Sequence, residues 1–407
     1  MERCCDPRHQ GRHQAPRHCR IRCPAGGIDR QAFIRECGAR SRAGADLYNA
    51  LYMWLNRVPG GLGVANVVAC TLFAAMAGSS AATCSAIGSA GIPEMRRRGY
   101  SPGLAAGIIA AGGTLGILLP PSITMILYAV AAEQSLGRLF LAGLGPGMLL
   151  SGMFAVYAVM RFRKEYRDAL RAGVEHPILR RDTYTIAERI SALPRILPFL
   201  ILLLGVMGAL YGGFASPGET AGLGAVLALA LIAIIYGAWR FSDLRPLLVA
   251  SVRESSMLLM IVGMSLLYSM VMSYLHISQS AAEWIVAHHL SPWLLLTAIL
   301  MMVVGLGFFL PPASIILMTA PIILPPLHSA GFDLIWFGVV MTIVMEMGLI
   351  HPPVGLNLFV IRNIAPDIQF RDVIWGTLPF VAIMIVAVIM ICAVPGIAMW
   401  LPKLLMG

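Results

Sequence analysis

Beyond residue 60 the chain alternates long apolar runs with short clusters of charge, glycine and proline. Several of the runs exceed the ~20 residues that cross a bilayer as a helix. Asp46 to Val58 reads as a short amphipathic helix stopped by Pro59-Gly60-Gly61. Residues 61–92 are apolar at both ends, but Gly78-Ser79-Ser80-Ala81-Ala82-Thr83 interrupts them with small and polar groups. That pattern predicts a re-entrant hairpin, tolerable at membrane depth only where protein or water lines its tip. A single span packing small residues on a neighbour is the plainer alternative. Residues 102–131 predict a helix broken at Pro120-Pro121, 139–160 a span, and 161–192 a charged loop. Residues 193–292 hold scaffold spans near 193–211, 218–238 and 255–275, then an amphipathic surface segment from Ile277 to Leu290. A second hairpin follows at 293–327 around Pro311-Pro312-Ala313-Ser314, a second broken helix at 334–361, and a final span at 373–401.

The late pattern repeats the early one. With Leu324 set against Ile92, an offset of 232, Pro93 meets Pro325 and Gly99 meets Gly331 without a gap. Gly116 then meets Gly348, and Pro120-Pro121 meets Pro352-Pro353. All five identities are glycine or proline, the residues that dictate backbone shape. The chain therefore divides into a first repeat, 46–160, and a second, 293–407. Paired interrupted helices in two halves point to the binding site of a secondary transporter.

Composition settles the class: 58% of residues are hydrophobic and 12% charged, the balance of an all-α polytopic membrane protein. The net charge of +10 does not indicate nucleic acid, because residues 1–45 hold ten Arg against Glu2, Asp6, Asp29 and Glu36. That tail has no apolar run and no signal-peptide core. It carries Cys4, Cys5, Cys19, Cys23 and Cys37 with three histidines, without the paired spacing of structural zinc modules. It reads as a shifted or mis-started translation replacing genuine sequence. Cys70, Cys84 and Cys392 stand singly in apolar segments, as buried small hydrophobes do.

The remaining charge sets orientation. With Arg96–Arg98 in the cytoplasm, loops 161–192, 239–254 and 362–372 fall on the same side, and with those three arginines they hold sixteen basic residues. The opposite loops hold two, Arg138 and Lys403, a strong positive-inside signal. The chain then crosses five times between Ser101 and Asp333, so the two repeats have opposite orientation.

Candidate chemistry lies where the helices break, because backbone groups there need partners from outside the helix. Gly78, Ser79, Ser80 and Thr83, facing Gly112, Gly113, Thr114 and Gly116, make one oxygen-rich pocket. Pro311, Pro312 and Ser314, facing Gly348, His351, Gly355 and Asn357, make the other. A small hard cation takes such carbonyl and hydroxyl oxygens, and half-helix N-termini favour an anion. Glu346 is the one acid in mid-span, either a functional group or a structural acid paired with His351. No Lys or Arg sits deep in either repeat, so a carboxylate would be held mainly by helix dipoles and N–H groups, or by an Arg from the replaced N-terminus. No HExxH, GxSxG or acid–base–nucleophile cluster marks an enzyme, and Ser79 or Ser80 as an intramembrane hydrolase nucleophile lacks a nearby histidine.

The segments GSSAATCSAIGSAGIPEMRRRGY, AAGGTLGILLPPSITMILYAV, GRLFLAGLGPGMLL, SIILMTAPIILPPL and MEMGLIHPPVGLNLFVIRN resemble the large (DctM-type) membrane subunit of TRAP, or tripartite ATP-independent periplasmic, transporters. The resemblance covers residue 46 to the end. It implies an elevator-type importer of the ion-transporter superfamily in the bacterial inner membrane, driven by sodium and carrying an organic anion such as a C4-dicarboxylate. It implies a small four-helix (DctQ-type) subunit and a periplasmic solute-binding protein (DctP-type) as partners, with membrane lipid around them. Sodium is then expected at Gly78, Ser79, Ser80, Gly112, Gly113, Thr114, Gly116, Pro311, Gly348, His351 and Gly355. Substrate is expected at Ser79, Ser80, Thr83, Pro312, Ser314, Pro353 and Asn357. Two features depart from the family pattern: the tail replaces further N-terminal helices, and Leu310 and His351 stand where many members carry Asp and Thr. A truncated, transport-inactive subunit is the alternative.

Overall fold

The computed structural model describes residues 47–54, 60–171, 185–192, 194, 196–237, 240–276, 280, 291–352 and 354–406. The tail, the segment Ile277–Leu290 apart from Ser280, and Pro353 lie outside the described residues. Among the described residues every regular element is a helix. After a helical stretch at 47–54 come α1 (Gly61–Ala77), α2 (Ser80–Arg97), α3 (Pro102–Leu118), α4 (Ile123–Ala131) and α5 (Leu136–Arg171). The peripheral helices are α6 (Ile186–Ala192), α7 (Leu197–Tyr211), α8 (Pro217–Tyr236) and α9 (Phe241–Tyr274). The second half holds α10 (Pro292–Gly307), α11 (Pro312–Ser329), α12 (Leu334–Ile350), α13 (Leu356–Ile364), α14 (Phe370–Ala393) and α15 (Gly396–Met406).

Local chemistry sets the boundaries. Ser101 caps α3 by accepting from the Leu104 N–H, with Pro102 in the first turn where its missing N–H costs nothing. Ser122 restarts the chain as α4, and Asp333 caps α12 by accepting from the Ile335 and Trp336 N–H groups. The aligned glycines of the repeat do identical work. Gly99 (φ 82°) ends α2 and Gly331 (φ 85°) ends α11, both in the left-handed region that a side chain rarely enters. In each case the glycine N–H and the next N–H reach back to α-helical carbonyls, Arg96 and Met95 or His328 and Leu327, closing a Schellman motif.

Two helices form the core. Every residue of α3 from Leu104 to Leu118, and of α12 from Ile335 to Ile350, is buried. Around α3 pack α1, α2, α5, α13 and α14, while α10, α14 and α5 pack on α12. By contrast the most apolar window of α8 is 6% buried and that of α9 is 0% buried, so lipid or partners face them. By length and apolarity α5, α8, α9, α11 and α14 could each cross a membrane, as could α3 and α4 together, which bend by 41° at their break.

Three boundaries differ from the sequence reading. The span at 139–160 is the middle of a 36-residue helix whose end enters the expected loop, because no glycine or proline stops it and Arg161 pairs with Glu165 one turn on (3.4 Å). The span at 255–275 starts at Phe241, running through Pro246, so most of the expected loop 239–254 is helical. The final stretch 373–401 is two helices, because Pro395 ends α14 at Ala393 and seeds α15 by accepting from the Ala398 and Met399 N–H groups.

The two ends of the bundle are distinct. At one, Arg96 pairs with Asp367 and the Ser101 hydroxyl donates to Glu165 (2.8 Å), gathering the turns after α2 and α13 and the C-terminal part of α5. At the other, the Tyr128 hydroxyl donates to the Leu334 carbonyl (2.7 Å) and Tyr211 to that of Gly137 (3.1 Å). α3 starts at the first end and α12 at the second, so the two broken helices run in opposite directions.

Candidate functional site

Each hairpin leaves and returns to one end. The Gly63 N–H at the start of α1 donates to the hydroxyl of Tyr100 (3.1 Å), just past the end of α2. Trp293 at the start of α10 meets the Phe332 ring, just past α11, edge to face at 5.8 Å. The first tip, 78–79, is largely buried, whereas at the second, 308–311, Phe309 and Pro311 are exposed.

The first tip closes on the first broken helix. Gly78 (φ 57°) ends α1, and a Cβ placed there would sit 3.2 Å from the carbonyl oxygen of Pro121, inside the break. Ser79 precedes α2 in extended conformation, and its carbonyl accepts from the Thr83 hydroxyl (2.9 Å). A Cβ on Gly113 would lie 2.3 Å from the Cys84 sulfur and 3.0 Å from the Ser80 carbonyl oxygen. On Gly116 it would lie 3.3 Å from the Thr83 hydroxyl. Gly112 instead faces Cys70 of α1, and Thr114 donates back to the Ala111 carbonyl (2.6 Å). Ser80, Thr83 and Thr114 are all buried.

Asn357 belongs with this group. Sequence reading set it opposite the second hairpin, but its amide donates to the Ser80 hydroxyl (2.7 Å) and the Ala110 carbonyl (3.2 Å). The reason is geometric: α13 turns away from α12 at the break and packs across α2 and α3. Gly355 (φ 50°) makes that turn and precedes α13. One side chain thus ties the second broken helix to the tip of the first hairpin.

The second tip meets α12 through residues that sequence reading did not single out. Gly348 lies against Gly307, where a Cβ would fall 2.4 Å from the Gly307 oxygen. His351 stacks on Phe308 at 5.1 Å. Pro311 precedes α11, Pro312 opens it, and the Ser314 N–H donates to the Pro311 carbonyl (3.0 Å). The contact of this hairpin with Gly348 and His351 is thus made by the end of α10. The GLG spacing at 305–307 was the available signal. His351 Nδ1 meets the Pro352 carbonyl, so the ring does not pair with Glu346.

Glu346 is 1% exposed, and neither carboxylate oxygen has a hydrogen-bond partner. The Asn357 carbonyl oxygen is also buried and unpartnered. Three buried side-chain oxygens, on α12 and α13, are thus without partners. Cavities of about 480 Å³ (Glu133, Ser273, His328) and about 670 Å³ (Ser101, Arg161, Trp375) open at the two ends, away from both tips. Cys70 and Cys84 are buried as expected, whereas Cys392 is half-buried.

Residues 37–397 match the family model described as the tripartite ATP-independent periplasmic transporter, DctM component. The C4-dicarboxylate TRAP transporter large permease protein DctM of Pseudomonas aeruginosa is 36% identical over 91% of this chain and 83% of its own length. The ectoine TRAP transporter large permease protein TeaC of Halomonas elongata is 30% identical over 90% and 83%. The sialic acid TRAP transporter large permease protein SiaM of Vibrio cholerae is 26% identical over 89% and 82%. With its long apolar helices, the chain is a multi-pass protein of the bacterial inner membrane. It belongs to the DctM family of TRAP transporter large membrane subunits.

Proposed function

We propose that the chain is the transport subunit of a secondary importer, carrying an organic anion together with sodium across the inner membrane. The bond from Asn357 to Ser80 carries the reading: it joins the break of one helix to the tip of the opposite hairpin, so both halves share one buried site. The opposed entry of the two hairpins and broken helices supports an inverted-topology repeat, the architecture of alternating access. The poorly buried α8 and α9 support a division into scaffold and moving body, as an elevator requires. In this reading, the hairpins and broken helices move as one unit. Sodium takes oxygens near Ser79, Ser80, Gly113 and, on the other side, Gly348 and Gly355. The anion is held by hydroxyls, amides and half-helix N-termini near Thr83, Ser314 and Asn357.

Relatives named for C4-dicarboxylates, ectoine and sialic acid all handle molecules with a carboxylate. A C4-dicarboxylate is the proposed substrate. The proposed partners are a small membrane subunit and a periplasmic solute-binding protein; one relative, an isethionate permease, is named DctMQ. Uptake of radiolabelled succinate into proteoliposomes holding both membrane subunits, with the binding protein outside, tests the proposal. Uptake should collapse when sodium is replaced by potassium or choline. Equal uptake in all three salts would remove the coupling.

A further inference from the structure

We propose that the cavity at the Arg96–Asp367 end of the bundle binds a zwitterionic phospholipid, one whose headgroup carries a primary ammonium beside its phosphate. The cavity, of about 670 Å³, lies between the start of α3, the C-terminal part of α5 and the first half of α14. That size falls within the roughly 300–1,000 Å³ of small-molecule sites. Glycines keep it open: α3 and α14 touch backbone to backbone where Gly103 meets Gly376, and both glycines line the cavity without filling it.

The walls divide by polarity in one direction. Along α5, Tyr157 and Met160 lie toward the middle of the bundle and Arg161 and Lys164 toward its end. Along α14, Pro379 and Trp375 lie toward the middle and Asp372 toward the end. The inner half is therefore apolar and aromatic, and the rim is charged. Met160 is 57% exposed and Trp375 62% exposed, so the apolar half faces the bilayer, with a tryptophan at the level where bilayer interfaces favour one. Acyl chains would lie along these two side chains, and the headgroup would sit at the rim.

The charges select the headgroup. Two basic and two acidic side chains line the cavity, so an anionic lipid gains no net attraction there. One basic–acidic pair is already engaged. Glu165 accepts from the Ser101 hydroxyl (2.8 Å) and N–H (3.3 Å) and holds Arg161 at 3.4 Å. Lys164 and Asp372, on different helices, have no hydrogen-bond or ion-pair partner among the described residues. A phosphate beside Lys164 and an ammonium beside Asp372 would answer both at once. A choline headgroup has no N–H to donate to the carboxylate, and charge-assisted hydrogen bonds are the strong ones.

The test uses the purified full chain in detergent, titrated with phosphatidylethanolamine, phosphatidylcholine or phosphatidylglycerol of the same acyl chains and read by native mass spectrometry. Wild type should bind phosphatidylethanolamine more tightly than the other two. Lys164→Gln should weaken that binding about fivefold, the worth of one lysine at an anionic lipid surface. Asp372→Asn should reverse the order in favour of phosphatidylglycerol, because the rim then carries a net positive charge. Both side chains are exposed, so both variants should unfold at the wild-type temperature. Equal binding of the three lipids by wild type overturns the site. So does an unchanged affinity in Lys164→Gln or an unchanged order in Asp372→Asn. Glycerophosphoethanolamine, the headgroup without chains, should bind far more weakly; equal binding would make the ligand a soluble phosphate ester and overturn the lipid assignment. Loss of the preference when the small membrane subunit is co-purified would overturn it in favour of that partner.

Discussion

Gly348→Ala tests whether the second hairpin must seat tightly on α12. The added Cβ would stand 2.4 Å from the Gly307 oxygen, 2.5 Å from its carbonyl carbon and 2.8 Å from its Cα. Non-bonded carbon contacts are comfortable at roughly 3.5–4.0 Å, so α10 must retreat by about 1 Å. The obstacle is backbone, with no flexible side chain to swing aside. Overpacking of this kind costs about 1–3 kcal/mol, which lowers the seated population by about 5–150-fold. The same substitution gains about 1 kcal/mol of helix propensity, but that gain is common to seated and unseated hairpins. Stability should therefore fall modestly while uptake falls steeply. Gly116→Ala, at the equivalent position of the first repeat, is the control. Its Cβ meets the Ala74 side chain at 3.2 Å and the Thr83 hydroxyl at 3.3 Å, contacts that a few tenths of an ångström relieve. It should keep near-normal uptake. Sodium-driven uptake in proteoliposomes and thermal unfolding of both variants decide the matter. Wild-type uptake by Gly348→Ala, or equal losses in both variants, would refute the reasoning.

Gly113→Ala should impair uptake through its 2.3 Å approach to the Cys84 sulfur, and adding Cys84→Ala should recover part of the loss; a double-mutant cycle in thermal unfolding measures the coupling. At the start of α6 the Thr185 N–H donates to Glu188 (2.8 Å), and its side chain and backbone hold the Glu188 carboxyl below the usual carboxylate range. Because that pKa is depressed, the cap's contribution is full above the ordinary carboxylate value and is lost as pH falls through the lowered one. Amide exchange at 185–189, corrected for intrinsic rates, should be slower at neutral pH than in strong acid, and Glu188→Gln should remove the difference. Asp367→Asn breaks an ion pair whose side chains are 38% and 56% exposed, and should cost under about 1 kcal/mol, with the difference fading in high salt in an unfolding assay.

What the sequence determined by itself was the shape of the backbone. Glycine and proline act through their own φ and their own missing N–H, so Gly99 and Gly331 announced two helix ends, and the Pro-Pro pairs two breaks, before any packing was known. Apolar runs likewise reveal burial in protein or lipid, but not which, and α3 and α8 are both Gly/Ala-rich and apolar although one is enclosed and the other bare. Where α5 ran on through Arg161 no breaker stood to mark the end, and α9 began at Phe241 although Pro246 stands in its first turns, so both boundaries were misplaced. Partnership was decided only by the tertiary structure. Asn357 follows the second break, yet α13 packs across α2 and α3, and that crossing delivers its amide to Ser80. His351 lies five residues from Glu346 along the chain but stacks on Phe308, because the helix ends between them and the ring turns toward the second hairpin. Spacing along a chain sets which groups can share a helix face; which groups meet across helices depends on how the helices cross.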